Sequence, residues 1–222
     1  MLRFTFATVA FASMFAISCA SQSSTVSPKA EARLADETLL DPQADAPGLR
    51  VGEQAPTLTL MSADGRQINL AEAYRQGPVI VTFYRGGWCP YCVEALKDWG
   101  GKTDELEAAG ATFIAISPET REHALETTET VEGDWLALVD TDGSAMRAFK
   151  TGFALDPQTE SRYRGYGIDL DTWNTNGEWE LPAPATYVID RDGVVRWAYA
   201  DWDYKKRADP DEVIAAAASL GG

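Results

Sequence analysis

The sequence predicts an α/β fold with a mixed central sheet flanked by helices, and three observations carry that expectation. Short apolar runs rich in β-branched residues alternate with longer segments of helical period, the pattern of a layered sheet with helical crossovers. The run Pro78–Tyr84 is apolar almost throughout, as a strand buried on both faces requires. Further on, two alternating runs joined by Arg191-Asp192-Gly193 read as an antiparallel hairpin, so the sheet is mixed rather than purely parallel.

Taken in order, Thr57–Leu60 and Gln67–Leu70 flank the Asp64-Gly65 turn and predict a first hairpin ahead of the central strand. A helix is expected from Pro90, with Val93, Leu96 and Trp99 as its apolar stripe. Proline suits a first helical turn, where no partner awaits its missing N–H. Gly100-Gly101 interrupts that helix at a cost of about 2 kcal/mol relative to two alanines, which predicts a break before a second segment, Thr103–Ala109. Ala111–Ile116 is the next buried strand, Glu119–Val131 a helix polar on most sides, Trp135–Val139 a third strand and Asp142–Lys150 a short helix. Residues 151–182 show no sustained period and are expected to be irregular; they carry Arg162, Tyr163, Arg164 and Tyr166, with Trp173 and Trp179 further on. The late hairpin pairs Ala185–Asp190 with Val194–Tyr199, and Asp209–Leu220 follows as a helix with Pro210 in its first turn.

The 222 residues divide into three parts. Residues 1–20 have a positive start at Arg3, a compact apolar stretch from Phe4 to Ile17 and small residues at Ser18, Cys19 and Ala20, as a secretory signal peptide does. Two fates are open: cleavage after Ser18-x-Ala20, or lipidation of Cys19, because Ala16-Ile17-Ser18-Cys19 resembles a bacterial lipobox. The protein is therefore expected in the bacterial periplasm or anchored to the outer membrane as a lipoprotein. Residues 21–50, rich in Ser, Ala, Pro, Asp and Glu, predict a flexible tether, and the folded domain is expected over 51–222. A net charge of −15 argues against nucleic acid and anionic membrane surfaces as partners, leaving a lipid anchor as the one membrane contact.

Chemistry concentrates at Trp88-Cys89-Pro90-Tyr91-Cys92, directly after the central strand. With Cys19 in the leader, Cys89 and Cys92 are the folded part's only thiols, so no disulfide framework staples the domain. At a strand-to-helix junction, Cys89 falls at or near the helix N-cap. There the unpaired backbone N–H groups and the positive end of the helix dipole favour thiolate over thiol. Zinc needs about four ligands, and beyond the pair the sequence offers only His123 and carboxylates. A purely structural disulfide across so short a loop would constrain the unfolded chain little. The segment reads as a redox-active thiol pair with no cofactor.

Tyr84-Arg85-Gly86-Gly87-Trp88-Cys89-Pro90-Tyr91-Cys92 resembles the signature of the peroxiredoxin-like branch of the alkyl hydroperoxide reductase/thiol-specific antioxidant (AhpC/TSA) family. The resemblance extends to Val51-Gly52-x-x-Ala55-Pro56, Ile116-Ser117-Pro118-Glu119, Pro182-Ala183-Pro184-Ala185-Thr186-Tyr187 and Asp203-Tyr204-x-x-Arg207. It implies a thioredoxin-like fold with an N-terminal β-hairpin extension, and a peroxidase acting on hydrogen peroxide or organic hydroperoxides. Cys89 would then be the peroxidatic nucleophile and Cys92 the resolving thiol. Their disulfide would be reduced by a thioredoxin-type partner. Arg85 would stabilise thiolate and peroxide, Gly86 and Gly87 would let the backbone pass close to substrate or partner, and Trp88 and Tyr91 would wall the site. Pro90 and Thr186 support it, and Pro184 occupies the place of a cis-proline facing the thiols.

The chain also departs from the family pattern. Gly86 stands where typical members carry a peroxide-holding hydroxyl, Thr82 stands at their proline position, and Ala183-Pro184-Ala185 replaces their second arginine. Arg162 and Arg164 are the candidates to replace it, although nothing in the sequence places them near Cys89. These departures keep a second reading open, a thioredoxin-like dithiol–disulfide oxidoreductase that never uses peroxide. A Cu(I) carrier using both sulfurs, which lacks a placed third ligand, and a fold kept only for protein contacts complete the alternatives. His123, in the polar stretch Arg121-Glu122-His123-Ala124, is expected at the surface.

Overall fold

The computed structural model describes Lys29, residues 38–174 and residues 179–221. The leader with Cys19 and most of the tether lie outside the described residues. Seven strands form one mixed sheet in the order β2-β1-β5-β4-β3-β8-β9: β1 Thr59–Ser62, β2 Gln67–Asn69, β3 Val79–Phe83, β4 Thr112–Ser117, β5 Leu136–Val139, β8 Ala185–Ile189 and β9 Val195–Ala200. Every residue of β3 is buried, which explains its unbroken apolar run. It pairs in parallel with β4 and antiparallel with β8, so Phe83, its last residue, lies opposite Ala185 at the start of β8. Whatever follows Phe83 therefore emerges beside the Pro184 loop.

The helices are α1 Leu70–Gln76, α2 Pro90–Gly100, α3 Thr103–Ala108, α4 Arg121–Thr130, α5 Ser144–Ala148, α6 Pro157–Gly165, α7 Leu170–Trp173 and α8 Pro210–Ala218. One face of the sheet packs Val79, Val81, Phe83, Ile114, Ile116 and Tyr187 against the N-terminal segment and α5. The other packs Ile80, Phe113 and Val188 against Leu96 and Trp99 of α2 and Val213 of α8. Both cysteines belong to this second cluster. The break at Gly100-Gly101 falls where expected, between α2 and α3.

The structure departs from the sequence reading at four places. Leu70 opens α1 rather than ending a strand, because the Asn69 side chain accepts the Glu72 N–H at 3.2 Å and caps the helix. Residues 151–182 are not irregular: β6 Gly152–Ala154 pairs with β7 Glu180–Pro182, and α6 and α7 lie between them. The packed chain also begins before Val51. Leu40 N–H donates to Gly152 O at 2.8 Å, Trp202 Nε1–H donates to the Asp45 carbonyl at 2.9 Å and Leu49 is buried, so the described end of the expected tether lies on the domain. No peptide bond among the described residues is cis, so the bond before Pro184, which the resemblance set at a cis-proline position, is trans. Among the described residues no helix is long and apolar enough to cross a membrane.

Candidate active site

Cys89 is the N-cap of α2 and has extended backbone geometry, with Pro90 in the first turn. The carbonyl of Cys89 accepts from Cys92 N–H at 2.9 Å and Val93 N–H at 3.1 Å, closing that turn. Its side chain makes no capping bond, which leaves the sulfur to other partners. Arg85 Nη2 donates to Cys89 Sγ at 2.9 Å, and the second arm, Nη1, donates to the Tyr163 hydroxyl at 2.9 Å. Both cysteines are free thiols and 1% exposed.

The electrostatics separate the two sulfurs. The hydrogen bond from the Cys92 thiol holds the Cys89 thiol well below its usual range, with the Arg85 charge acting the same way and burial opposing both. Cys92 moves in the opposite direction: burial pushes it up, and its bond to Cys89 keeps its proton in place. Arg207 Nη2 approaches Cys92 Sγ at 3.4 Å and works against that rise. One sulfur is thus prepared as the anion and the other as its proton-bearing neighbour.

Arg85 is 6% exposed and enclosed by aromatic rings. Its guanidinium carbon lies 3.9 Å from the Tyr204 ring centroid and 5.2 Å from that of Trp88, cation–π distances that favour the charged form. Trp88 meets Tyr163 edge-on at 5.7 Å, and Tyr91 meets Tyr204 in the same way at 5.5 Å. Arg85, Tyr163, Tyr204, Pro184, Trp202 and Phe153 line a cleft of about 610 Å³.

The turn before Cys89 is fixed from below. Glu119 is fully buried, and its Oε1 accepts from Gly87 N–H at 2.7 Å while Oε2 accepts from Ser117 Oγ at 3.0 Å. Burial raises its pKa against these bonds. The glycines are required by this packing. Gly86 has φ +145, and a Cβ on Gly87 would lie 2.2 Å from Thr127 Oγ1, closer than any side chain can approach.

The remaining expected residues fall in different places. Tyr91 is exposed and Pro90 faces solvent. Thr186 bonds across the sheet to Thr82, Oγ1 to Oγ1 at 2.9 Å, and both border the small space beside Cys92 and Arg207. Arg162 lines the cleft and donates to Thr159 Oγ1, whereas Arg164 is held by Glu160, Asp169 and Asp171; neither bonds to Cys89. His123 is half-buried, its ring tilted against Trp173 with centroids 4.0 Å apart, and bonded to Thr120 at 3.0 Å. Tyr163, Tyr204, Glu119 and Arg207 had no role in the sequence reading. The last three lie within stretches that carried the family resemblance, whereas Tyr163 lies in the segment that showed no period.

A mixed sheet with a thiol pair at the N-terminus of the helix after its central strand defines a thioredoxin-like redox domain. Residues 51–198 match the AhpC/TSA family, and the chain belongs to it. The chain is 29% identical over 171 residues to chloroplastic peroxiredoxin Q of Suaeda salsa, covering 76% of this chain and 68% of that protein. It is 28% identical over 154 residues to a putative peroxiredoxin of Mycobacterium tuberculosis, covering 66% of this chain and 82% of that one. Among solved structures, peroxidoxin BcpB from Mycobacterium tuberculosis matches with a TM-score of 0.61 at 18% identity, covering 78% of this chain and 99% of its own. Peroxiredoxin Q from Xanthomonas campestris matches with a TM-score of 0.56 at 20% identity, covering 73% and 90%. At these identities the structural likeness is one of fold.

Proposed function

We propose that the protein is a thiol peroxidase in which Cys89 is the nucleophile, Cys92 the resolving thiol and a thioredoxin-type dithiol the reductant. The observation that carries this reading is the Arg85 Nη2 to Cys89 Sγ bond of 2.9 Å at a buried helix N-cap. It supplies a thiolate and, on the same side, a cation for the charge that develops on the leaving oxygen. The Cys89 thiolate attacks the proton-bearing peroxide oxygen. An S–O bond forms, the O–O bond breaks, and the departing oxygen leaves as water or alcohol after taking a proton. The sulfur has lost two electrons and is a sulfenic acid. Cys92, as thiolate, then attacks that sulfur, expels hydroxide and forms the Cys89–Cys92 disulfide, which a dithiol partner returns to two thiols. The relatives named peroxiredoxin Q support this chemistry.

Burial of both sulfurs weighs for a small oxidant. The guanidiniums beside them disfavour a metal cation, which weighs against copper carriage. The leader supports export, with Cys19 as the residue that lipidation would use. The test is stopped-flow oxidation of the reduced protein by hydrogen peroxide. The expected result is a rate orders of magnitude above that of free cysteine. Indifference to peroxide, together with fast exchange against protein disulfides, would transfer the protein to the oxidoreductase class.

A further inference from the structure

We propose that Tyr163 is a catalytic residue of the peroxide step, its phenolic hydroxyl donating to a peroxide oxygen bound beside it and Arg85. This rests on the peroxidase reading. Gly86 and Gly87, in the turn before Cys89, bring no side-chain donor to the oxidant. Arg85 is divided between two atoms: Nη2 donates to the Cys89 sulfur, and Nη1 donates to the Tyr163 oxygen. Because that oxygen accepts from Arg85, its own proton remains for another acceptor. Tyr163 and Arg85 both line the aromatic cleft, so an oxidant entering there meets the phenol and the guanidinium together.

The fold gives Tyr163 this position at some length. Asp156 caps α6 by accepting from the Gln158 and Thr159 N–H groups, and Pro157 starts the helix. A small core of Leu155, Leu170, Trp179 and Leu181 then holds the segment, with Tyr163 packed against it. The ring also rests edge-on against Trp88 at 5.7 Å. Burial raises the Tyr163 pKa, so the phenol keeps the proton it needs at neutral pH. In the reaction the O–O bond breaks as sulfur bonds the proton-bearing oxygen. The electron pair goes to the other oxygen, whose charge the Tyr163 O–H and Arg85 stabilise until water protonates it. Tyr163 gives a hydrogen bond and ends unchanged.

The test compares wild type with Tyr163→Phe, which keeps the ring against Trp88. Two rates are measured on reduced protein at neutral pH: oxidation by hydrogen peroxide and alkylation by iodoacetamide, which needs the thiolate but has no O–O bond to break. The expected result is a fall of about ten- to a hundredfold in the peroxide rate, the scale of one hydrogen bond to a charged group, with alkylation within about twofold of wild type. Equal peroxide rates in the two proteins overturn the proposal. A parallel fall in both rates also overturns it, since Tyr163 would then only hold Arg85 or the fold. If wild type itself shows no more preference for peroxide over iodoacetamide than free cysteine does, the peroxidase reading fails first and this inference falls with it.

Discussion

Cys89→Ser abolishes peroxide consumption at every reductant concentration, whereas Cys92→Ser consumes a single equivalent and stops. The difference follows from the unequal environments of the two sulfurs. Serine at position 89 keeps the helix N-cap and the Arg85 partner, but an un-ionised hydroxyl is too weak a nucleophile for an O–O bond. Serine at position 92 still offers an O–H to the Cys89 sulfur, the contribution that most lowers its pKa. Its first oxidation therefore stays fast. The sulfenic acid then has no thiol to condense with, so turnover ends there. Cys92→Ala, which removes the donor as well, slows even that first oxidation. Peroxide consumption under a thioredoxin system, with thiol counts and protein mass, checks all three variants. Sustained turnover in Cys92→Ser would remove Cys92 from the mechanism.

Arg85→Met lowers the second-order rate with peroxide by about 10²–10³-fold, the scale found when one preorganised donor to a developing oxyanion is deleted. At 6% exposure Arg85 is replaced by little water. The loss therefore leaves a buried sulfur without its cation and moves the Cys89 pKa back up. Methionine retains most of the contact with Tyr204 and Trp88, so the effect is electrical more than steric. Arg85→Lys recovers only part of the activity. A single ammonium lacks the planar fork that reaches Cys89 Sγ and the Tyr163 oxygen at once. Stopped-flow oxidation measures these rates, and an unchanged Arg85→Met would take Arg85 out of the chemistry.

The parts of the fold legible in the sequence are those whose burial is written in a period. Val79–Phe83 is buried on both faces and reads as a central strand from its composition alone. Cys89 at the N-cap was legible from the strand before it and the proline after it. Residues 151–182 were not, because α6 has no buried residue and β6 and β7 are three residues each, too short for an alternation to register. Their signals were local instead: Asp156-Pro157 and Asp169 are N-cap signatures that a search for apolar period passes over. The α1 helix was hidden in the same way behind the Asn69 cap. Arg85 beside Cys89 was within reach, being four residues away in sequence. The contacts of Tyr163 with Arg85 and of Arg207 with Cys92 span 78 and 115 residues, and no local pattern encodes such meetings.

Ultraviolet absorbance of the reduced protein against pH, following thiolate formation at Cys89, examines the foundation most directly. Held down by the Cys92 hydrogen bond and the Arg85 charge, that sulfur is expected to titrate at about 5. The oxidation rate is accordingly flat through neutral pH and drops only as acid protonates it. An inflection no lower than that of free cysteine, about 8.5, would mean that the fold prepares no nucleophile here.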